Sequence, residues 1–239
     1  MIQIENVRVL ILAGGLGSRL GDLSKNCPKP LQPVNGRPFL EYLIESLEKQ
    51  GITKITLLTS YLSEFIEEHF NKWQGKAKID VLVEKEPLGT GGAIAQAVLQ
   101  LSIEEPFLVF NGDSFCLFDI KSLIKHADDY HAVISALTVS EGARFGGLKV
   151  NNNGILLEFS EKVPGSKLVN AGVYLFHPES FKGLTGVFSL EKEIFPKWLN
   201  NNNKIKVITL DSQLLDIGTP ESLKSAEYEL QLLMSEVKK

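Results

Sequence analysis

The sequence predicts an α/β protein built on a doubly wound, mostly parallel sheet, with a mixed α+β insert over the strand ends. Short β-branched runs alternate with amphipathic helical stretches through residue 140, the signature of a parallel sheet. Glycine-rich segments lie at 14–17, 88–92 and 111–113, close to the ends of apolar runs. Beyond 140 the pattern changes to closely spaced strands with few helices between them.

The first strand is expected over 7–13, a buried run that ends in a tight loop at Gly14-Gly15. Pro38 opens a helix with Phe39, Tyr42, Leu43 and Leu47 on one face, and Gly51 stops it. Strands follow over 54–59, 78–83 and 106–110. Helices fall over 63–73, over 93–101 and, capped by Asp119, over 120–130. In the insert, strands are expected over 145–150, 155–159 and 168–176, the first two joined by a turn at Asn151-Asn152-Asn153-Gly154. A helix over 190–199, a strand over 205–210 and a helix over 219–234 complete the chain. No Ser/Pro-rich linker interrupts it. Residues 1–239 therefore read as a single domain, with a nucleotide-binding-like part over 1–140, the insert over 141–218 and the closing helix over 219–239.

At 239 residues the chain is long enough to bury about 70% of its unfolded surface without staples. Apolar residues are 44% and charged residues 23%, which excludes disorder and collagen. A net charge of −4 lacks the basic surplus of a nucleic-acid binder. Two cysteines, Cys27 and Cys116, make no disulfide framework, and no Cys/His spacing suits zinc. No N-terminal signal layout and no apolar run near ~18 residues is found, so a cytoplasmic protein that spans no membrane is expected.

In open α/β sheets ligands bind beyond the carboxyl ends of the strands. The loop Gly14-Gly15-Leu16-Gly17-Ser18-Arg19 falls there, where glycines let backbone N–H groups approach an anion and Arg19 adds charge. It matches neither the dinucleotide fingerprint nor a Walker A loop. Lys29 stands between Pro28 and Pro30, which stiffen its backbone, as suits a lysine aimed at a phosphate. Asp113 ends the fourth strand and Asp216 precedes Gly218-Thr219-Pro220. Two carboxylates brought together suit Mg²⁺, which takes one or two of them plus substrate phosphates; each alone serves equally as a turn or helix cap. Gly112-Asp113-Ser114-Phe115-Cys116 is a near miss to G-x-S-x-G, which leaves an α/β hydrolase with Ser114 as a rival. The last histidine, His177, lies too early for its triad.

The ordered set Leu12-Ala13-Gly14-Gly15-Leu16-Gly17-Ser18-Arg19-Leu20, Pro28-Lys29-Pro30-Leu31, Glu86-Pro87-Leu88-Gly89-Thr90-Gly91-Gly92-Ala93, Asn111-Gly112-Asp113, Glu161-Lys162, Asn170-Ala171-Gly172-Val173-Tyr174 and Asp216-Ile217-Gly218-Thr219-Pro220 resembles the sugar-phosphate nucleotidyltransferase family. Within it the sequence is most similar to the heptose 1-phosphate and mannose 1-phosphate guanylyltransferase groups. The resemblance implies a Rossmann-like sheet and transfer of a nucleotidyl group to a sugar 1-phosphate with release of pyrophosphate. It places Leu12, Ala13, Gly14, Gly15, Gly17, Ser18, Leu88, Gly89, Thr90 and Gly112 about the nucleotide, with Ser18 standing where many members have Thr. Arg19 would meet the nucleotide phosphates, Lys29 the reacting phosphates, and Asp113 and Asp216 would hold Mg²⁺, so that Arg19, Lys29 and Asp113 carry catalysis. Gly147, Glu161 and Asn170 would contact the sugar and Lys162 its phosphate.

Both reactants are anions, so the task is positioning and charge neutralisation. The nucleophile is already an ionised phosphate and needs no general base. Glu84 follows the third strand beside the Leu88-Gly89 loop. A carboxylate is acceptor-only and can take the adjacent N1–H and 2-amino donors of guanine. GTP is therefore expected over UTP, dTTP and ATP, with Glu86 or backbone groups near Gly89 as other readers of the base and a uridylyl- or thymidylyltransferase as the alternative. A silent sugar-nucleotide sensor should have lost a charge from this set, and none is lost. The expected partners are a nucleoside triphosphate and a sugar 1-phosphate, in a monomer or homodimer serving surface-polysaccharide synthesis.

Overall fold

The computed structural model describes residues 3–140, 145–161 and 165–236. The chain runs β1 (Arg8–Leu12), a small hairpin of β2 (Pro33–Val34) and β3 (Arg37–Pro38), α1 (Phe39–Lys49), β4 (Lys54–Thr59), α2 (Ser63–Phe70), β5 (Lys78–Val83) and α3 (Gly89–Gln100). It continues through β6 (Phe107–Asn111), β7 (Ser114–Phe115), α4 (Lys121–Ile124), β8 (Ala132–Thr138), β9 (Gly146–Val150), β10 (Leu156–Glu161) and β11 (Leu168–Phe176). A π-helical turn (Leu190–Ile194), α5 (Phe195–Asn200), β12 (Ile205–Thr209), β13 (Leu215–Asp216) and α6 (Pro220–Glu236) close it. Among the described residues no helix is long and apolar enough to cross a membrane.

Strands β5, β4, β1 and β6 lie side by side and parallel, with Leu10 aligned to Thr56 on one side and Val109 on the other. β11 then pairs antiparallel to β6, β8 antiparallel to β11, and β12 parallel to β8. In the row β5-β4-β1-β6-β11-β8-β12, β11 thus runs against the rest, and the mostly parallel expectation holds. Chain order reverses between β1 and β6, which makes the crevice beyond their ends the switch point of the sheet.

Alternate side chains on each strand feed opposite layers. Val9 and Ile11 join α1, α4 and α6 in one buried layer, where Phe39, Leu43, Ile44 and Leu47 supply the apolar face of α1. Leu10 joins Ile94 and Ala97 of α3, Phe195 and Trp198 of α5, and Phe107, Tyr174 and Phe176 in the other. Each fully buried Leu, Ile or Phe contributes roughly 1.5–3 kcal/mol. Helices on both faces make the sheet doubly wound.

Besides the unexpected two-residue strands β2, β3, β7 and β13, the structure departs from the sequence expectation at three longer elements. β8 was not expected, yet it sits between β11 and β12 with every residue buried but Thr138. Its Ala132-Val-Ile-Ser-Ala-Leu run shows no alternation because both faces are covered. The helix expected over 120–130 is α-helical only at Lys121–Ile124; the chain then tightens through His126 N–H to Leu123 and Ala127 N–H to Ile124 bonds. The helix expected over 190–199 is broken, because Pro196 donates no hydrogen bond and the turn before it widens to an Ile194 N–H to Ser189 bond.

β11 is the longest strand and serves two roles along one edge. Its second half pairs with β6, and its first half meets the β9–β10 hairpin at Val169↔Gly147. Between them its register against β8 shifts, from Asn170 to Tyr174, and Gly172 takes φ +73°. The buried Ser135 hydroxyl donates to the Val173 carbonyl across this break, at 2.8 Å. Ser135→Ala withdraws that donor from a buried carbonyl. It is expected to lower unfolding free energy by about 1–3 kcal/mol, read from urea midpoints.

Candidate functional site

Two adjoining pockets open at the β1/β6 switch point. The first, about 330 Å³, lies between the Leu12–Leu16 loop, Lys29-Pro30, Glu84 and the start of α3. The second, about 290 Å³, lies between Arg19, Phe145-Gly146, Phe159, Asn170 and Asp216. Thr90, Asn111 and Asp113 belong to both walls, so the two pockets meet there.

The junction is an ion pair. The Lys29 ammonium donates to Asp113 Oδ2, and the Ser114 hydroxyl donates to Asp113 Oδ1 at 3.1 Å. Lys29 is only 7% exposed, so its charge is committed to this point. Asp113 keeps 35% of its side chain open, toward the pockets. Burial pushes the Asp113 carboxyl up, but the Lys29 charge and hydrogen bond, the Ser114 hydroxyl and Arg19 overcome it and hold the carboxyl below its usual range. Gly17, at φ +62°, adopts a backbone that a side chain would strain, and a Cβ there would sit 3.3 Å from Lys29 Cβ. The glycine shapes the seat of the lysine.

Asp216 reaches the same place from the other end of the chain. β13 pairs antiparallel with β7, placing Asp216 opposite Ser114, and Ile217 N–H donates to the Asp113 carbonyl at 3.1 Å. Asp216 Oδ1 accepts the Gly218 N–H at 2.7 Å and the Ser222 hydroxyl at 3.2 Å. Thr219 and Ser222 exchange side-chain-to-backbone bonds at the start of α6, with Pro220 as its first residue. Asp216 is therefore both a turn cap and a wall of the second pocket.

The expected residues divide as follows. Leu12, Ala13, Gly14, Gly15, Lys29, Glu84, Gly89, Thr90 and Asp113 line the first pocket. Arg19, placed by expectation on the nucleotide phosphates, instead lines the second, within 3.6 Å of a Cβ built on Gly218. Gly17, Ser18, Leu88 and Gly112 line neither. Gly112 bonds β1 through its N–H to Leu12, at 2.9 Å. Leu88 donates its N–H to Glu84 Oε2 at 2.9 Å. That bond lowers the Glu84 carboxyl, but burial dominates and raises it. Asn170 lines the second pocket, its amide donating to the buried Tyr174 hydroxyl at 2.6 Å and accepting the Gly172 N–H at 3.0 Å.

Gly147 does not line that pocket; its neighbour Gly146 does. The contact expected of Gly147 is through its backbone; a Cβ there would strike Ser166. Glu161 ends β10 opposite Gly146. Lys162 lies outside the described residues. The hydrolase rival fails on geometry: Ser114 begins β7 rather than a helix, and its hydroxyl donates to Asp113 rather than to a histidine. Glu191, Phe145, Phe159 and Asn111 also line the second pocket, and the sequence assigns none of them a role there. The acidic-basic run Glu191-Lys192-Glu193 reads as a solvated helix face, so Glu191 gave no signal.

A doubly wound sheet with a glycine loop, buried lysine and two carboxylates at its switch point defines a nucleotide-binding enzyme of phosphate-transfer chemistry. The sequence model of the family described as Nucleotidyl transferase matches residues 8–231, and the chain belongs to that family. It is 36% identical over 220 residues, 90% of this chain and 96% of the relative, to the D-glycero-alpha-D-manno-heptose 1-phosphate guanylyltransferase of Campylobacter jejuni. Identity to the Aneurinibacillus thermoaerophilus protein of the same description is 33% over 231 residues, 94% of this chain and 99% of the relative. The crystal structure of HddC from Yersinia pseudotuberculosis complexed with GMP-PN superposes with a TM-score of 0.84 at 34% identity, covering 94% of this chain and 99% of that one.

The lowered Asp113 carboxyl carries a pH signature. A folded-state pKa below the unfolded value of about 3.9 means that the ionised group stabilises the fold above that value. The contribution is lost as pH falls through the lowered folded value. Urea midpoints of wild type and Asp113→Asn are expected to differ by a constant amount from about pH 5 to 7 and to converge below about pH 4. A gap that persists unchanged into strong acid would contradict this.

Proposed function

We propose that this nucleotidyltransferase is a sugar-1-phosphate guanylyltransferase that transfers GMP from GTP to a sugar 1-phosphate, with a heptose 1-phosphate as the favoured acceptor. The observation that carries the reading is the meeting of two pockets at one buried ion pair, Lys29–Asp113. The names of the relatives support the guanylyl and heptose assignments. In this reading residues 1–140 hold the nucleotide, residues 141–218 the sugar phosphate, and the work is done in the cytoplasm.

Leu12 to Gly15, Glu84, Gly89 and Thr90 would wall the nucleotide. Of Gly14 and Gly15, Gly15 has open space at its Cβ position, which suits close approach by a ligand. Lys29, with Arg19 from the neighbouring pocket, neutralises the phosphates that must be brought together. Arg19 thereby serves the incoming sugar phosphate as well as the phosphorus it attacks. Asn170 and Glu161 belong to the sugar, and Lys162 to its phosphate.

Asp113 and Asp216 would hold Mg²⁺. Among the described residues no group of three or more His, Cys, Asp or Glu could hold a metal. Two carboxylates on one wall fit an ion that completes its shell with substrate phosphate and water. The bound ion supplies charge neutralisation at the reacting phosphates. The attacking oxygen belongs to an ionised phosphate, so none of these side chains needs to remove a proton.

The functional reading is tested by pyrophosphate release from a matrix of nucleoside triphosphates and sugar 1-phosphates with Mg²⁺; the GTP and heptose 1-phosphate pair is expected to lead. Asp216→Asn keeps the Oδ1 acceptor for Gly218 and Ser222. It should therefore leave the melting temperature near wild type while lowering kcat by orders of magnitude. Undiminished turnover removes Asp216 from the metal site.

Base choice rests on Glu84. Its Oε2 is engaged by Leu88, and no described residue bonds Oε1. Guanine N1–H and 2-amino groups are donors matched to such a carboxylate. Glu84→Gln should reduce the GTP-to-UTP ratio of kcat/KM by about tenfold, the worth of a hydrogen bond to a charged group. An unchanged ratio leaves guanine preference to other groups, and a wild type that prefers UTP rejects the guanylyl assignment.

A further inference from the structure

The glycine segment that opens α3 has a use other than receiving phosphate. A glycine-rich turn into a helix ordinarily leaves first-turn N–H groups open to an anion. Here Gly91 and Gly92 both donate to the Phe188 carbonyl, at 3.1 and 3.2 Å, and Phe188 N–H donates to Leu88 at 3.0 Å. A Cβ on Gly89, which sits at φ +72°, would stand 2.6 Å from that same carbonyl, and one on Gly91 2.5 Å from the Phe188 ring. The glycines are the seat of the 186–191 segment.

Thr90 completes the clamp. Its hydroxyl accepts the Leu190 N–H at 2.8 Å and donates to Glu191 Oε2 at 2.7 Å. The Ser189 hydroxyl donates to the same oxygen at 3.0 Å. Glu191 is thereby delivered to the wall of the second pocket, with Asn170, Gly172 and Asp216. No described residue bonds its other oxygen, Oε1.

We propose that Glu191 is a specificity-determining residue that accepts hydrogen bonds from hydroxyls of the sugar phosphate, and that Thr90 is the residue that positions it. The proposal rests on the reading of the second pocket as the sugar-phosphate site. A carboxylate is acceptor-only, and ring hydroxyls are the donors that a sugar offers. It repels a phosphate, so it marks the part of the pocket that takes hydroxyls. Thr90 also lines the first pocket, so the reader of the sugar is anchored on the half of the molecule that holds the nucleotide.

The test is steady-state kinetics with GTP, the preferred sugar 1-phosphate and its monodeoxy analogues. Glu191→Ala should raise the KM for the sugar 1-phosphate about tenfold or more, while the KM for GTP stays at the wild-type value. Wild type should discriminate against one monodeoxy analogue, and Glu191→Ala should abolish that discrimination. Glu191→Gln, which keeps the shape and a neutral acceptor, should shift the sugar KM in the same direction by less. Thr90→Val should reproduce the sugar KM shift and Thr90→Ser should restore it. An unchanged sugar KM, retained discrimination in Glu191→Ala, or an equal rise in both KM values in Glu191→Gln overturns the proposal. A wild type that turns over no sugar 1-phosphate with any nucleotide overturns the functional reading itself.

Discussion

The Lys29–Asp113 ion pair is the interaction on which the site depends. It ties the loop after β1 to the end of β6, the two strands between which the sheet reverses its chain order. An ion pair as buried as Lys29 requires is weak evidence for stability, because desolvating two charges offsets their attraction. Its value lies in position. It fixes a cation and a carboxylate at the one point shared by both pockets, with Ser114 and Arg19 keeping the carboxylate charged. In the proposed reaction two mutually repelling phosphates approach each other there.

Much of the architecture around this pair holds the ends of separate chain segments together. β7 and β13 are only two residues each, yet their pairing carries Asp216 from near the end of the chain to Ser114. The Asp216 turn is then locked to the start of α6 through Gly218, Thr219 and Ser222. From the opposite edge, β11 spans both β6 and the β9–β10 hairpin, and its register break at Asn170–Tyr174 turns Asn170 into the second pocket. Each device is short, and the residues it places line the pocket that Asp113 lines.

What the sequence made legible follows the range of the interactions involved. The β1, β4, β5 and β6 strands and α1 were readable because burial on a local face leaves periodic apolar residues. β8 was not, since a strand covered on both faces has no alternation to read. The carboxylates Asp113 and Asp216 and the proline-flanked Lys29 were readable as residue types at strand ends, and they do converge. The direction each faces was not readable. Arg19 turns to the second pocket, and Gly146 rather than Gly147 lines it. Glu191 left no trace, since its placement depends on a contact with Thr90 about a hundred residues earlier.

The glycine segments differ in kind, and the difference bears on how the site divides its work. After β1, Gly15 lies open on the first pocket, where a ligand can approach the protein backbone. In the first turn of α3, Gly91 and Gly92 give their N–H groups to the Phe188 carbonyl. In the proposed reaction the buried Lys29 and the exposed Arg19 are side-chain cations that meet the phosphate charge. The parallel half thus supplies charge at a fixed point, while the insert supplies hydrogen-bonding groups such as Asn170 and Glu191. Charge neutralisation is common to every sugar 1-phosphate, whereas hydroxyl positions differ between sugars. In the proposed reading, the insert can change its choice of sugar without disturbing the Lys29–Asp113 ion pair, so long as the Thr90 anchor of Glu191 is kept.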